Sequence, residues 1–136
     1  MAYLDYDVGN AKLIVGIRCR LGRLEYDEAG LLDTAATWSV LSAEVASEVS
    51  GDISDPIRPV RFNTRLGDYE GTLHRIAIQL KADEGNDLAV DATVAVISDW
   101  SGPTVFGFCG FLDRIRIALD PGRGSHESPT VFFGQL

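Results

Sequence analysis

The residues best placed to do chemistry are Leu31-Leu32-Asp33-Thr34-Ala35-Ala36, an apolar pair running into Asp-Thr and then two small residues. The pattern reads as a strand that ends on a carboxylate. A short acid placed where a strand gives way to a tight turn can be held by backbone N–H groups, partly buried and shifted in pKa. Such carboxylates do chemistry. Taken alone, the six residues also describe a structural Asx-turn, in which Asp33 bonds the backbone two residues on, and that is the simpler reading of them.

Other candidate chemistry is thin. His74, His126, Cys19 and Cys109 lack zinc-type spacing and the paired-Cys element of structural sites, so neither a metal nor a cofactor is expected. Gly122-Arg123-Gly124-Ser125 follows Pro121 without the G-x-x-x-x-G-K-[ST] pattern of a phosphate cradle and reads as a surface loop. A second acid in a comparable setting, Asp91 of Val90-Asp91-Ala92-Thr93, sits inside an alternating strand opposite its apolar face and reads as solvent-facing.

The elements that must position Asp33 belong to a chain of 136 residues, 46% hydrophobic, which fits a single domain over 1–136 with an N-terminal arm over 1–10. Twelve Lys and Arg against 20 Asp and Glu leave a net charge of −8, a balance that excludes a protein gripping nucleic-acid phosphates. Met1 to Asp7 carries acids where a secretory leader needs bases, and apolar runs such as Leu13–Val15 and Val94–Ile97 fall far short of the ~20 residues that span a bilayer. No membrane partner is expected. Two cysteines make no disulfide framework, and Cys19 in an alternating run reads as a small buried thiol, which points to the cytoplasm.

Leu13, Val15, Ile17, Cys19 and Leu21 alternate with Ile14, Gly16, Arg18 and Arg20, the period of a strand with one buried face. Gly22-Arg23 turns it, a second strand runs from about Leu24 to Leu32 to deliver Asp33, and Thr37 to Leu41 is extended again. Ser42 is placed to cap a short helix over Ala43 to Val49, ended by Ser50-Gly51. Pro56 and Pro59 interrupt the next stretch; Val60 to Thr64 then leads into a hairpin tip at Gly67-Asp68-Tyr69-Glu70-Gly71. Strands follow over His74 to Leu80 and Val90 to Val96, then Val105-Phe106-Gly107, a short helix within Phe108 to Asp113, and strands at Ile115 to Leu119 and Val131 to Phe133. Many short strands at hairpin spacing predict a mainly β, closed or nearly closed barrel with one or two short helices.

Two features coincide in this order: the apolar-apolar-Asp-Thr turn at Leu31 to Ala35, and the apolar-apolar-Gly step at Val105 to Gly107 followed by Phe111-Leu112. Gly107 follows Asp33 by 74 residues, with a Gly-bounded hairpin between them. From about Ala11 to Phe133 the chain resembles the retropepsin-like aspartic proteases, and its segments Gly71 to Ile76 and Gly110 to Arg116 are similar to single-domain bacterial members. The resemblance implies that Asp33 is catalytic and that Thr34, Ala35 and Ala36 complete the active-site loop. It makes Gly67, Asp68, Tyr69, Glu70 and Gly71 the flap, and Val105, Phe106 and Gly107 the brace of the loop.

Members of that family activate water between two carboxylates that share a proton. One chain here supplies one, so the enzyme requires a homodimer with Asp33 on its two-fold axis, acting on a peptide or protein. The family's third motif residue is Gly, and here it is Ala35. Ala keeps the backbone N–H but adds a methyl, at a cost of about 1 kcal/mol or more if the position needs positive φ and near zero if it does not. The alternative is therefore a catalytically silent domain that binds peptide or protein partners.

Overall fold

A computed structural model of the chain describes residues 2–7, 10–64, 67–122 and 128–136. The elements in order are β1 (Ala2–Asp7), β2 (Asn10–Leu21), β3 (Glu28–Leu32), β4 (Ser39–Val40), α1 (Ala43–Glu48), β5 (Arg58–Thr64), β6 (Gly67–Leu80), β7 (Leu88–Ile97), β8 (Val105–Phe106), β9 (Ile115–Asp120) and β10 (Thr130–Gln135), with a single 3-10 turn at Leu112–Arg114. The residues expected as an N-terminal arm form β1, paired antiparallel with the first half of β2.

Six strands close on themselves. The ladder runs β2-β3-β8-β4-β7-β6, and β6 returns to β2 through Cys19↔Leu80, Arg20↔Gln79 and Leu21↔Ile78. Closure gives each of these six strands a neighbour on both sides, and β1 and β5 extend the sheet as its terminal strands. The period of two places Val15, Ile17, Cys19 and Leu21 of β2 inside, where they meet Ile76, Ile78 and Leu80 of β6 and Val90, Ala92 and Val94 of β7. Phe106 and Phe111 stack at the centre with ring centroids 4.3 Å apart. Cys19 lies in this core, and burial pushes its thiol up to about 12, consistent with an inert packing residue.

The expected strand over Leu24 to Leu32 is present only from Glu28. Gly22 turns the chain with φ +52°, and Arg20 to Asp27 and Arg23 to Asp52 tie the intervening residues down as a loop. Ser42 caps α1 as its sequence implies, its hydroxyl accepting from the Val45 N–H at 3.3 Å. The helix expected within Phe108 to Asp113 is a turn leading into the 3-10 turn, too short to fill an α-helical hydrogen-bond cycle. Pro59 falls within β5 because β5 pairs with β6 alone, so the missing donor faces outward.

The hairpin also differs. Thr64 pairs with Gly67, so Gly67 to Gly71 form the start of β6 and not a tip; residues 65–66 lie outside the described residues. The first rung between β6 and β7 is Gly71↔Ile97, and the β5–β6 hairpin therefore runs on past the end of β7. A second apolar cluster lies on the outer face of the wall: Val40, Leu73, Ala95 and Ile97, with Trp38, Val60, Phe62, Tyr69 and Trp100 packed on it.

Ion pairs stud the exterior. Three carboxylates sit below the ordinary value of 3.8: Asp52 through hydrogen bonds from the Arg23 side chain and backbone, Asp87 through the Lys81 side chain and the Ala82 N–H, and Asp91 through the Arg75 guanidinium. A carboxylate whose folded pKa lies below its unfolded one stabilises the fold fully above the unfolded value and loses that contribution as pH falls through the folded one. The melting temperature is therefore expected to be flat from neutral pH to mildly acid pH and to fall below about pH 4. A pH series of thermal melts checks this, and a melting temperature unchanged down to the lowest pH would contradict it.

Candidate active site

Asp33 stands one residue beyond the end of β3, where the chain leaves the barrel wall and crosses to β4. Between β3 and β4 runs β8, parallel to β3 through Leu31↔Val105 and Leu32↔Phe106 and antiparallel to β4 through Val40↔Val105. The loop that carries Asp33 thus joins two strands separated by a third, and must pass over the end of that third strand.

The loop is bonded to β8 and its continuation along its whole length. The Asp33 N–H donates to the Phe106 carbonyl at 3.0 Å, the Phe108 N–H to the Ala36 carbonyl at 2.9 Å, and the Cys109 N–H to the Thr37 carbonyl at 2.7 Å. The Gly107 N–H donates to the Ser39 hydroxyl at 3.0 Å, with Ser39 wholly buried. Gly107 must be glycine for a steric reason: a Cβ there would lie 2.5 Å from the Trp38 carbonyl carbon and oxygen. Phe106 fills the core below, so one short strand both anchors the barrel and fixes the loop.

Within the loop, the Ala36 N–H closes a turn onto the Asp33 carbonyl at 3.2 Å, and the Ala35 N–H donates to Asp33 Oδ1 at 2.9 Å. This is the Asx-turn of the simpler reading, and it orients the carboxylate without consuming it. Asp33, Thr34 and Ala35 are exposed and Ala36 is half-buried; the partial burial expected for the acid is absent in the single chain, because the turn carries it off the end of the wall. Ala35 does not adopt positive φ, since among the described residues only glycines do. The backbone penalty considered for Ala is therefore not incurred, and what remains is one exposed methyl beside the carboxylate.

The other expected site residues divide. Val105, Phe106 and Gly107 meet the Asp33 loop directly. Of the hairpin residues, Gly67 and Asp68 are exposed at the start of β6, Glu70 accepts from Arg61 at 2.7 Å, and Tyr69 packs edge-on against Trp100 with centroids 5.6 Å apart. Gly71 lies so close to the Val96 carbonyl that a side chain would collide with β7. Trp38 is half-buried in the outer cluster with the Arg58 guanidinium 5.3 Å above its ring. Ser39, Arg58 and Trp100 went unnoticed in the sequence, since a serine, an arginine and a tryptophan outside any motif carry no signal until the chain is folded. Asp91 is ion-paired with Arg75 on the outer face, as its strand position implies.

His74 is buried, its ring nitrogens engaged by Thr72 Oγ1 at 2.7 Å and the Ser54 carbonyl at 2.8 Å. His126 and the loop from Arg123 lie outside the described residues. Among the described residues no three His, Cys, Asp or Glu side chains gather as a metal site would require, and no helix is long and apolar enough to cross a membrane.

No family model and no curated protein matches the chain. Ten chains of solved structures do. One is a retropepsin-like aspartic protease from Rickettsia conorii, superposed with a TM-score of 0.50 over 79% of this chain and 82% of that one, at 16% identity. The fold is retropepsin-like. Ser39→Ala removes the acceptor of a buried N–H and is expected to destabilise the protein by about 1–3 kcal/mol, read from urea denaturation; an unchanged midpoint would show that the Gly107 N–H finds another partner.

Proposed function

We propose that two copies of this chain assemble into an aspartic endopeptidase whose active site is the pair of Asp33 carboxylates. The observation that carries this reading is the Asp33 turn itself: in a retropepsin-like barrel, a braced loop holds one carboxylate by the Ala35 N–H and leaves it exposed for a counterpart.

Two carboxylates about 3 Å apart cannot both ionise, so the pair holds one proton between them at working pH. The ionised member takes a proton from a water lying between the two, the oxygen of that water attacks the scissile carbonyl carbon, and the protonated member delivers its proton to the carbonyl oxygen. Collapse of the resulting diol returns a proton to a carboxylate, protonates the amine and breaks the C–N bond. Thr34, exposed next to Asp33, reaches the partner's loop, and the β5–β6 hairpin, of which Gly67 to Gly71 with Tyr69 are one strand, closes over the substrate.

Assembly has surface to use. The β9–β10 hairpin pairs with no other strand among the described residues, while Ile117, Val131 and Phe133 pack on the barrel core. Phe132 is 57% exposed and Leu119 45%. Light scattering at micromolar concentration is expected to give twice the monomer mass, and a strict monomer would leave Asp33 without its counterpart.

The exposed Ala35 methyl favours one competing reading, a domain that binds peptide in the same cleft and does not cut it. The two readings part on a diverse peptide library assayed from mildly acid to neutral pH. Wild-type protein is expected to cleave, and Asp33→Asn to lower the rate by roughly 10²-fold or more; Ala35→Gly is expected to raise it by removing the methyl. Equal cleavage by wild type and Asp33→Asn would refute the peptidase, and binding without any cleavage would favour the silent domain.

A further inference from the structure

The chain has far more acid than base, and most of its described arginines are matched with carboxylates: Arg18 with Asp83, Arg20 with Asp27, Arg23 with Asp52, Arg61 with Glu70 and Arg75 with Asp91. Arg58 is exposed and has no carboxylate partner among the described residues. Its guanidinium instead lies 5.3 Å from the centre of the Trp38 ring, within the range of cation–π attraction. A cation–π contact uses none of the guanidinium N–H groups as a conventional donor, and two of them together can grip a carboxylate with parallel bonds.

The position matters as much as the charge. Trp38 ends the loop that begins at Asp33, and its backbone is fixed against Gly107 and paired with Cys109. Its ring belongs to the cluster that includes Val60, Phe62 and Tyr69 of the β5–β6 hairpin, and Arg58 is the first residue of β5. The cation is therefore tied to both elements between which a substrate would lie. Trp38 lies five positions after Asp33, at most about 18 Å between their Cα atoms, and the turn at Asp33 shortens that. An extended peptide advances about 3.3 Å per residue.

From this we infer that Arg58, held on Trp38, selects peptides carrying an Asp or Glu within about four residues of the position that faces Asp33. The inference rests on the peptidase reading for where the substrate lies. It concerns recognition alone and does not need the bond to be cut. Repulsion reinforces it: a chain of net charge −8 disfavours acidic peptides where no unmatched cation receives them.

The test uses the full chain carrying Asp33→Asn and an array of synthetic peptides, each acidic member beside a twin with Asn or Gln in place of Asp or Glu. Acidic members are expected to bind at least about fivefold tighter than their twins, with the margin shrinking as salt is raised. Adding Arg58→Gln removes the margin, and Arg58→Glu turns it toward Lys and Arg. Twins bound equally, no peptide bound at all, or a margin that survives Arg58→Gln would each overturn the assignment. Failure of the peptidase reading looks different: the acid preference stands while wild-type protein cleaves nothing. Conversely, cleavage that depends on Asp33 and ignores acidic residues would refute the role of Arg58 alone.

Discussion

The structure depends on a strand of two residues. Val105-Phe106 is inserted between β3 and β4, and the chain connecting those outer strands must pass across its end at Gly107, where there is no room for a side chain. Phe106 points into the core and stacks on Phe111, while the backbone of the same segment bonds Asp33, Ala36 and Thr37 in turn. Core packing and loop geometry are thus set by one element. A shift in the barrel interior moves the carboxylate, and close-packed interiors resist such shifts.

That constraint explains how an exposed acid can be well placed. Asp33 gains nothing from burial, and its orientation comes from the Ala35 N–H and from a loop bonded to β8 and the residues after it, where Ser39 accepts from the Gly107 N–H. It also decides what Ala35 means. Because the turn is made without positive φ, it does not require glycine, and the alanine adds bulk without straining the backbone. Any effect of Ala35 on function acts through contact with what lies above the loop.

Much of this was legible in sequence because it is local. Alternation in Leu13 to Leu21 and in His74 to Leu80 named the strands and their buried faces, and Ser42 named the cap, whereas the pairing of Gly107 with the Asp33 loop came only from the family resemblance. The boundaries that failed were those set by partners distant in sequence. The strand before Asp33 starts late because Arg23 is held by Asp52, and Gly71, which reads as a turn residue, is a strand residue demanded by the close approach of β7. The contacts of Ser39, Arg58 and Trp100 are long-range in the same way, and no local pattern announces a hydroxyl that meets an N–H 68 residues away.

If one chain holds half a site, activity must depend on the identity of both partners. Wild-type protein mixed and re-equilibrated with Asp33→Asn measures this directly, with peptide cleavage followed at constant total protein. Activity proportional to the square of the wild-type fraction, about one quarter at equal amounts, is the predicted result. Activity proportional to the fraction itself would mean that a single chain carries the whole site, and would contradict the paired-carboxylate account.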